Sequence, residues 1–302
     1  MSEPAVLAVV GPTASGKSAL AVAVAQLVDG EVIGTDSMQA YRGMDIGTAT
    51  PTAGEQDQIA HHLIDVWDID EAVTVVQFRD AAREAIDGVL ARGRVPIVVG
   101  GSGLYVRAVL EEMDFPGTDP AVRTHWEQQL NQFGAPALHA VLAKQDPHAA
   151  AAIEVNNGRR IVRALEVNQI TGEPFIARLP APVDRYRTLR VGLHIDRETL
   201  DARIEQRVDA MWAAGFVEEV HTLLGRGLAK APTASAALGY GPIVRYLAGE
   251  IDQEQARAIT IEDTRKFARR QQRWFAKDER IQWFDHDLED LAQRIARLLT
   301  ST

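Results

Sequence analysis

The chain has 302 residues, 46% of them hydrophobic, and carries 42 acidic against 32 basic side chains for a formal charge of −10. That length supports one large domain or a domain with an insertion, and the acidity weighs weakly against a polyanionic partner for the molecule as a whole. There are no cysteines and the eight histidines form no H-E-x-x-H motif, which excludes disulfides and Cys-based zinc; without a basic leader or an apolar run long enough for a bilayer, a cytoplasmic protein with no membrane role is expected.

In chain order, AVLAVV at 5–10 predicts a buried strand and SALAVAVAQLV at 18–28 a helix. EVIGTD at 31–36, HHLIDV at 61–66 and RVPIVVGG at 94–101 predict three more strands. A helix precedes the last of these, with Phe78, Ala82, Ile86, Val89 and Leu90 on one face. Strands alternating with helices imply an α/β fold with a parallel sheet. From about Gly117 to Ala181 the strand signal stops, and HWEQQLNQF, PALHAVLAK, DPHAAAAI and GRRIVRALEVNQI all read as helical, which suggests an inserted helical domain. TLRVGLHI at 188–195 restores a strand, and the following helix turns Leu200, Ile204, Val208 and Met211 inward. The expected division is a core of 1–116 with 186–302 and an insertion at 117–185.

Between the first strand and helix, Gly11 to Ser18 read GPTASGKS, the phosphate-loop pattern G-x-x-x-x-G-K-[ST]. In that setting Gly11 and Gly16 permit a tight turn, backbone N–H groups face an anion, Lys17 adds a point charge, and the Ser18 hydroxyl can ligate Mg²⁺. A chance Gly-rich turn is the plain alternative, and the loop does not say whose phosphates it holds. Ligands in open α/β sheets bind beyond the carboxyl ends of strands, so Asp36 should face the same site. It could act as a general base, as a partner to a metal-bound group, or as a cap for the next turn. GGSGLYVRAVL from Gly100 brings the Ser102 hydroxyl to that edge, or is simply a strand-to-helix turn.

Positive charge gathers in RKFARRQQRWFAK (265–277), with six cations and no anion, and in GRRIVR, which holds Arg159, Arg160 and Arg163. Both suit a phosphate or nucleic-acid surface, or a solvated face paired with acidic neighbours. Arg203 and Arg207 stand i, i+4 on one helix, and one of them could reach a phosphate.

Taken in order, GPTASGKS, DSMQAYRGMDIGTATP, HHLID, GGSGLY, DPAVR, RRIVRALEV, ARIEQRV and WFAKDERIQWFD resemble the motifs of bacterial tRNA dimethylallyltransferases, also called tRNA isopentenyltransferases. The resemblance implies a P-loop kinase-like sheet with a helical insertion that grips the anticodon stem-loop. It implies transfer of a dimethylallyl group from dimethylallyl diphosphate to the N6 amine of the adenosine 3′ to the anticodon, in tRNAs reading codons that start with U. Gly11, Pro12, Thr13, Ala14, Ser15, Gly16, Lys17 and Ser18 would hold the diphosphate, with Ser18 placing Mg²⁺. Asp36 would be the base, and Ser18, Ser102 and Arg207 would assist departure of diphosphate. Asp36, Ser37, Met38, Gln39, Ser102, Arg123, Arg159, Arg160 and Arg163 would meet the tRNA, and a monomer is expected. Thr50, where the family often has lysine, and the arginine-poor SAALGYG stretch depart from the pattern. A kinase using the loop for ATP, or a non-catalytic RNA-binding module, would share the loop and the basic helices.

Overall fold

The computed structural model describes residues 6–176 and 181–301. Residues 6–111 and 184–301 form one compact unit and Glu112–Val183 a second.

In the first unit the strands are β1 (Val6–Val10), β2 (Gly30–Gly34), β3 (His61–His62), β4 (Val95–Gly100), β5 (Thr188–His194) and β6 (Ile281–Asp285). They make one parallel sheet in the order β3-β2-β4-β1-β5-β6. Its helices are α1 (Lys17–Val28), α2 (Ala53–Gln56), α3 (Val75–Ala91), α4 (Gly103–Leu110), then α8 (Arg197–Ala213), α9 (Phe216–Gly225), α10 (Tyr240–Leu247), α11 (Gln253–Phe275) and α12 (Leu291–Ser301); the second unit contributes α5 (Pro120–Gln145), α6 (Pro147–Ala152) and α7 (Gly158–Thr171).

Alternation along the central strand builds both layers, because successive side chains leave opposite faces. Val6, Ala8 and Val10 enter a core with Phe78, Ala82, Ile86 and Val89 of α3, whereas Leu7 and Val9 meet Ala21 and Val24 of α1 and Ile295 of α12. Phe78 is fully buried and meets Tyr105 edge-on, with ring centroids 4.9 Å apart; truncating it to alanine costs about 3–5 kcal/mol. Thr74 starts α3 with a capping box closed by Gln77.

Two strand expectations change. The predicted strand at 61–66 pairs only at His61 and His62, because Leu63 (φ 66°) and Asp65 (φ 53°) take left-handed backbone that no ladder accommodates. The predicted strand at 31–36 begins at Gly30 and ends at Gly34, which leaves Asp36 beyond the sheet edge. Ala5 lies outside the described residues.

In the second unit a Gly134 break (φ 79°) interrupts α5 just before Pro136. Leu138, Leu142, Ile161 and Leu165 form its core. Glu166 of α7, fully buried, accepts from Thr118 and from both Arg123 and Arg163. These bonds hold its carboxyl below the usual range despite burial, which acts the other way.

Candidate active site

The chain runs from β1 outward to β2 and β3, returns to β4 beside β1, and continues to β5 on the far side. Loops leaving β1 and β4 therefore diverge, and the crevice between them opens at their carboxyl ends. A cleft there is lined by Thr13, Lys17, Ser18, Asp36, Thr48, Gly100, Arg207 and Gln271 among others.

One wall is the phosphate loop. Gly11 (φ 138°), Ala14 (φ 63°) and Gly16 (φ 97°) lie outside ordinary L-residue backbone, the kind of turn that gathers N–H groups into an anion-binding concavity at the start of α1. The Ser15 hydroxyl is buried without a hydrogen-bond partner. Lys17 is 9% exposed and donates to the Pro12 carbonyl at 2.5 Å. Desolvation first, then Arg207, lowers its pKa from 10.5 to about 7, against the pull of Asp36.

Asp36 stands on the opposite wall. Its Oδ1 accepts from the Met38 amide at 3.0 Å, so it caps the turn and lines the cleft at once. The side chain keeps a solvent-facing surface, yet the walls crowd it. That desolvation raises its carboxyl pKa, opposed by the Met38 amide, Arg207 and Lys17. Arg207 donates to the Thr48 carbonyl at 3.3 Å, and burial lowers its pKa while Asp36 raises it. Lys17, Asp36 and Arg207 are thus one electrostatic group.

The remaining sequence candidates separate. Ser102 occupies the N-cap of α4 without capping it and is not among the residues lining the cleft. Ser37 and Met38 are half-buried beside Asp36. The Gln39 amide nitrogen is committed to the Thr48 and Ala49 carbonyls, both at 3.1 Å. Arg123 and Arg163 are tied to Glu166 in the helical unit, while Arg159 and Arg160 are exposed at the start of α7. In the 265–277 run, Arg265 pairs with Glu205, Lys266 with Asp263 and Arg269 with Glu262; for these three the paired-face alternative describes the structure.

Sequence reasoning missed Gln271, whose Oε1 accepts from the Thr13 amide at 2.8 Å and so ties α11 to the phosphate loop. A Cβ at Gly101 would lie 2.2 Å from the Gln271 amide nitrogen and 3.2 Å from the Gly11 carbonyl, so α11, the β4 loop and the phosphate loop approach one another closely there. The glutamine sat inside a run whose obvious signal was charge.

Among the described residues no three His, Asp or Glu side chains converge as a metal cage. The Ser18 hydroxyl and Asp36 carboxylate that line the cleft are hard oxygen donors. They fit Mg²⁺, which commonly takes few protein ligands and completes its sphere with substrate phosphates and water.

The family model described as IPP transferase matches residues 39–278. The chain belongs to the IPP transferase family. Within that family it is 56% identical over 280 residues to the tRNA dimethylallyltransferase of Salinispora arenicola, covering 93% of this chain and 82% of the relative. It is 53% identical over 290 residues to that of Streptomyces avermitilis, covering 96% and 93%. The crystal structure of the full-length tRNA isopentenylpyrophosphate transferase from Bacillus halodurans is similar with TM-score 0.73 and 39% identity, over 99% of this chain and 96% of that one. A eukaryotic dimethylallyltransferase acting on tRNA is similar with TM-score 0.81 and 26% identity, over 97% and 77%. The six-stranded parallel sheet with flanking helices is the α/β core expected for this IPP transferase.

Proposed function

We infer that this chain is a tRNA dimethylallyltransferase. It transfers the dimethylallyl group of dimethylallyl diphosphate to the N6 amine of the adenosine 3′ to the anticodon, in tRNAs reading codons that start with U, and releases diphosphate. The observation that carries this reading is a carboxylate, Asp36, sharing a cleft with the buried Lys17, the half-buried Arg207 and a phosphate loop. Such a site offers a proton acceptor at one end and a cradle for a departing anion at the other.

In the reaction the bond between the allylic carbon and the diphosphate oxygen breaks, and a bond from N6 to that carbon forms. An adenine amine is a poor nucleophile because its lone pair is delocalised into the ring. Asp36, its pKa raised by desolvation, accepts the proton lost from N6 as the new bond develops. Negative charge gathers on the leaving diphosphate, where the amides of residues 13–18, the Lys17 ammonium and the Arg207 guanidinium stabilise it. A Mg²⁺ held by Ser18 and the diphosphate oxygens would add charge neutralisation there. The base leaves its stack to reach the cleft, as in other enzymes that modify nucleobases. Arg159 and Arg160, on the helical unit, suit contacts with the anticodon stem-loop; Arg123 and Arg163 would shape that surface through Glu166. A monomer working in the cytoplasm accords with this reading, and no described helix is long and apolar enough to cross a membrane.

The test incubates purified protein with Mg²⁺ and unmodified tRNA bearing adenosine 3′ to the anticodon, and follows diphosphate release. Release that requires both dimethylallyl diphosphate and that tRNA supports the proposal. Phosphate transfer from ATP to some acceptor, without prenyl transfer, would replace it with a kinase.

A further inference from the structure

The turn after the second sequence block is held by a residue far along the chain. Glu219 of α9 accepts from the amides of Asp45 at 2.9 Å, Ile46 at 2.6 Å and Gly47 at 3.1 Å. The Tyr240 hydroxyl donates to the same carboxylate at 2.7 Å. Four donors thus converge on one acidic side chain, the number of lone-pair sites a carboxylate offers. Tyr240 is 1% exposed, and burial first and the Glu219 charge next push its phenol pKa far up, so it remains a donor. Gly47 has no room for a side chain, since a Cβ there would lie 2.2 Å from the Phe216 ring and 2.6 Å from that of Tyr240. Phe216 and Tyr240 meet edge-on with centroids 5.0 Å apart. The SAALGYG stretch therefore acts through Tyr240 as the backing of this turn.

The next residue is Thr48, whose carbonyl accepts from both Gln39 and Arg207. That carbonyl is the protein acceptor seen for Arg207, and its place is set by the turn that Glu219 grips. We propose that Glu219, backed by Tyr240, is a positioning residue for the transfer. By fixing the 45–47 turn it sets the Thr48 carbonyl that aims Arg207 at the departing diphosphate. This inference rests on the reading of the cleft as a prenyl-diphosphate site. Glu219 touches no reacting atom.

A double-mutant cycle with inorganic diphosphate as the probe separates positioning from general support of the fold. Kd is measured with Mg²⁺ present for the wild type, Glu219→Gln, Arg207→Ala and the double variant. A glutamine can accept only through its oxygen and turns an N–H₂ toward backbone donors, so Glu219→Gln should weaken diphosphate binding about 10-fold. In the Arg207→Ala background the same change should cost less than about twofold, because the group it aims is gone. Equal penalties in the two backgrounds would overturn the proposal. Tyr240→Phe, which deletes one hydroxyl, gives a second cycle if Glu219→Gln does not fold; about threefold in the wild type, vanishing with Arg207→Ala, is the expected result. Wild-type prenyl transfer is assayed alongside. A wild type that transfers the prenyl group while both cycles are additive refutes the positioning role alone, whereas a wild type inactive with competent tRNA refutes the reading beneath it.

Discussion

At pH 8, dimethylallyl diphosphate entering the phosphate loop takes up close to one proton, because Lys17 is neutral before binding and charged after it. Lys17 is 9% exposed, and desolvation, followed by the nearby Arg207, lowers its pKa from 10.5 to about 7. With that value, about one lysine in ten is charged at pH 8 and about half at pH 7. A diphosphate against the ammonium restores the charged form, so Lys17 contributes about 0.9 proton of uptake at pH 8, about 0.5 at pH 7 and about 0.1 at pH 6. The terminal phosphate of the donor, with an ionisation near pH 6, is already deprotonated at pH 8 and adds almost nothing there. For the ligand-free protein the stability sign follows from the same shift. The unfolded chain binds the extra proton, so Lys17 opposes folding fully below pH 7, and that penalty recedes as pH rises from about 7 toward 10.5. Titration calorimetry in two buffers of different ionisation enthalpy reads the uptake directly, and Lys17→Met should abolish it. Uptake near zero at pH 8, or equal uptake in Lys17→Met, would refute the assignment of a neutral buried lysine waiting for the anion.

Asp36→Asn should lower the single-turnover transfer rate by about 10²- to 10⁴-fold while leaving tRNA affinity within about twofold; in the wild type, the rate should fall on the acid side at a pH above the ordinary carboxylate range, since desolvation raises the Asp36 pKa. Wild-type turnover in Asp36→Asn would remove it as the base. Gln271→Ala frees the Thr13 amide and should raise the donor KM about fivefold, the equivalent of one hydrogen bond, with kcat changed less; an unchanged KM would show that α11 does not brace the loop. In the helical unit, Glu166→Ala leaves Arg123 and Arg163 without their shared partner. Because those guanidinium groups keep a quarter to a third of their surface in water, urea unfolding should show a loss at the low end for a broken buried pair, about 3 kcal/mol. A loss under about 1 kcal/mol would mean that the network does not hold the unit together.

The parts of the fold legible in the sequence are those whose cause is local. VLAVV and VPIVVG are nearly continuous apolar runs buried in a parallel sheet, and the 3.6-residue spacing of Phe78, Ala82, Ile86 and Val89 is the buried stripe of α3. GPTASGKS, set between such a strand and a helix, fixes its own backbone path. The predicted six-residue strand at His61 shortened because left-handed Leu63 and Asp65 interrupt an otherwise plausible pattern. β6 escaped notice since it is an edge strand with only Ile281 buried. The cleft was legible where its lining follows a strand closely in the chain, at Lys17 opening the helix after β1 and at Asp36 two residues past β2. It was illegible where distant chain segments meet at the cleft or the turn beside it: Gln271 reaches Thr13 across 258 residues and Glu219 reaches Asp45 across 174. Neither has a local pattern to mark it. Nor can the arginine pattern show that Arg123 and Arg163 pair with a buried Glu166 while keeping part of their surface in water.

The most direct test of the central claim is nucleoside mass analysis of unmodified tRNA after incubation with the purified protein, Mg²⁺ and either dimethylallyl diphosphate or ATP. A gain of one dimethylallyl group on the adenosine 3′ to the anticodon, with the prenyl donor alone, is the predicted result. Unmodified adenosine in a competent tRNA, together with ATP-dependent phosphorylation of another acceptor, would contradict it.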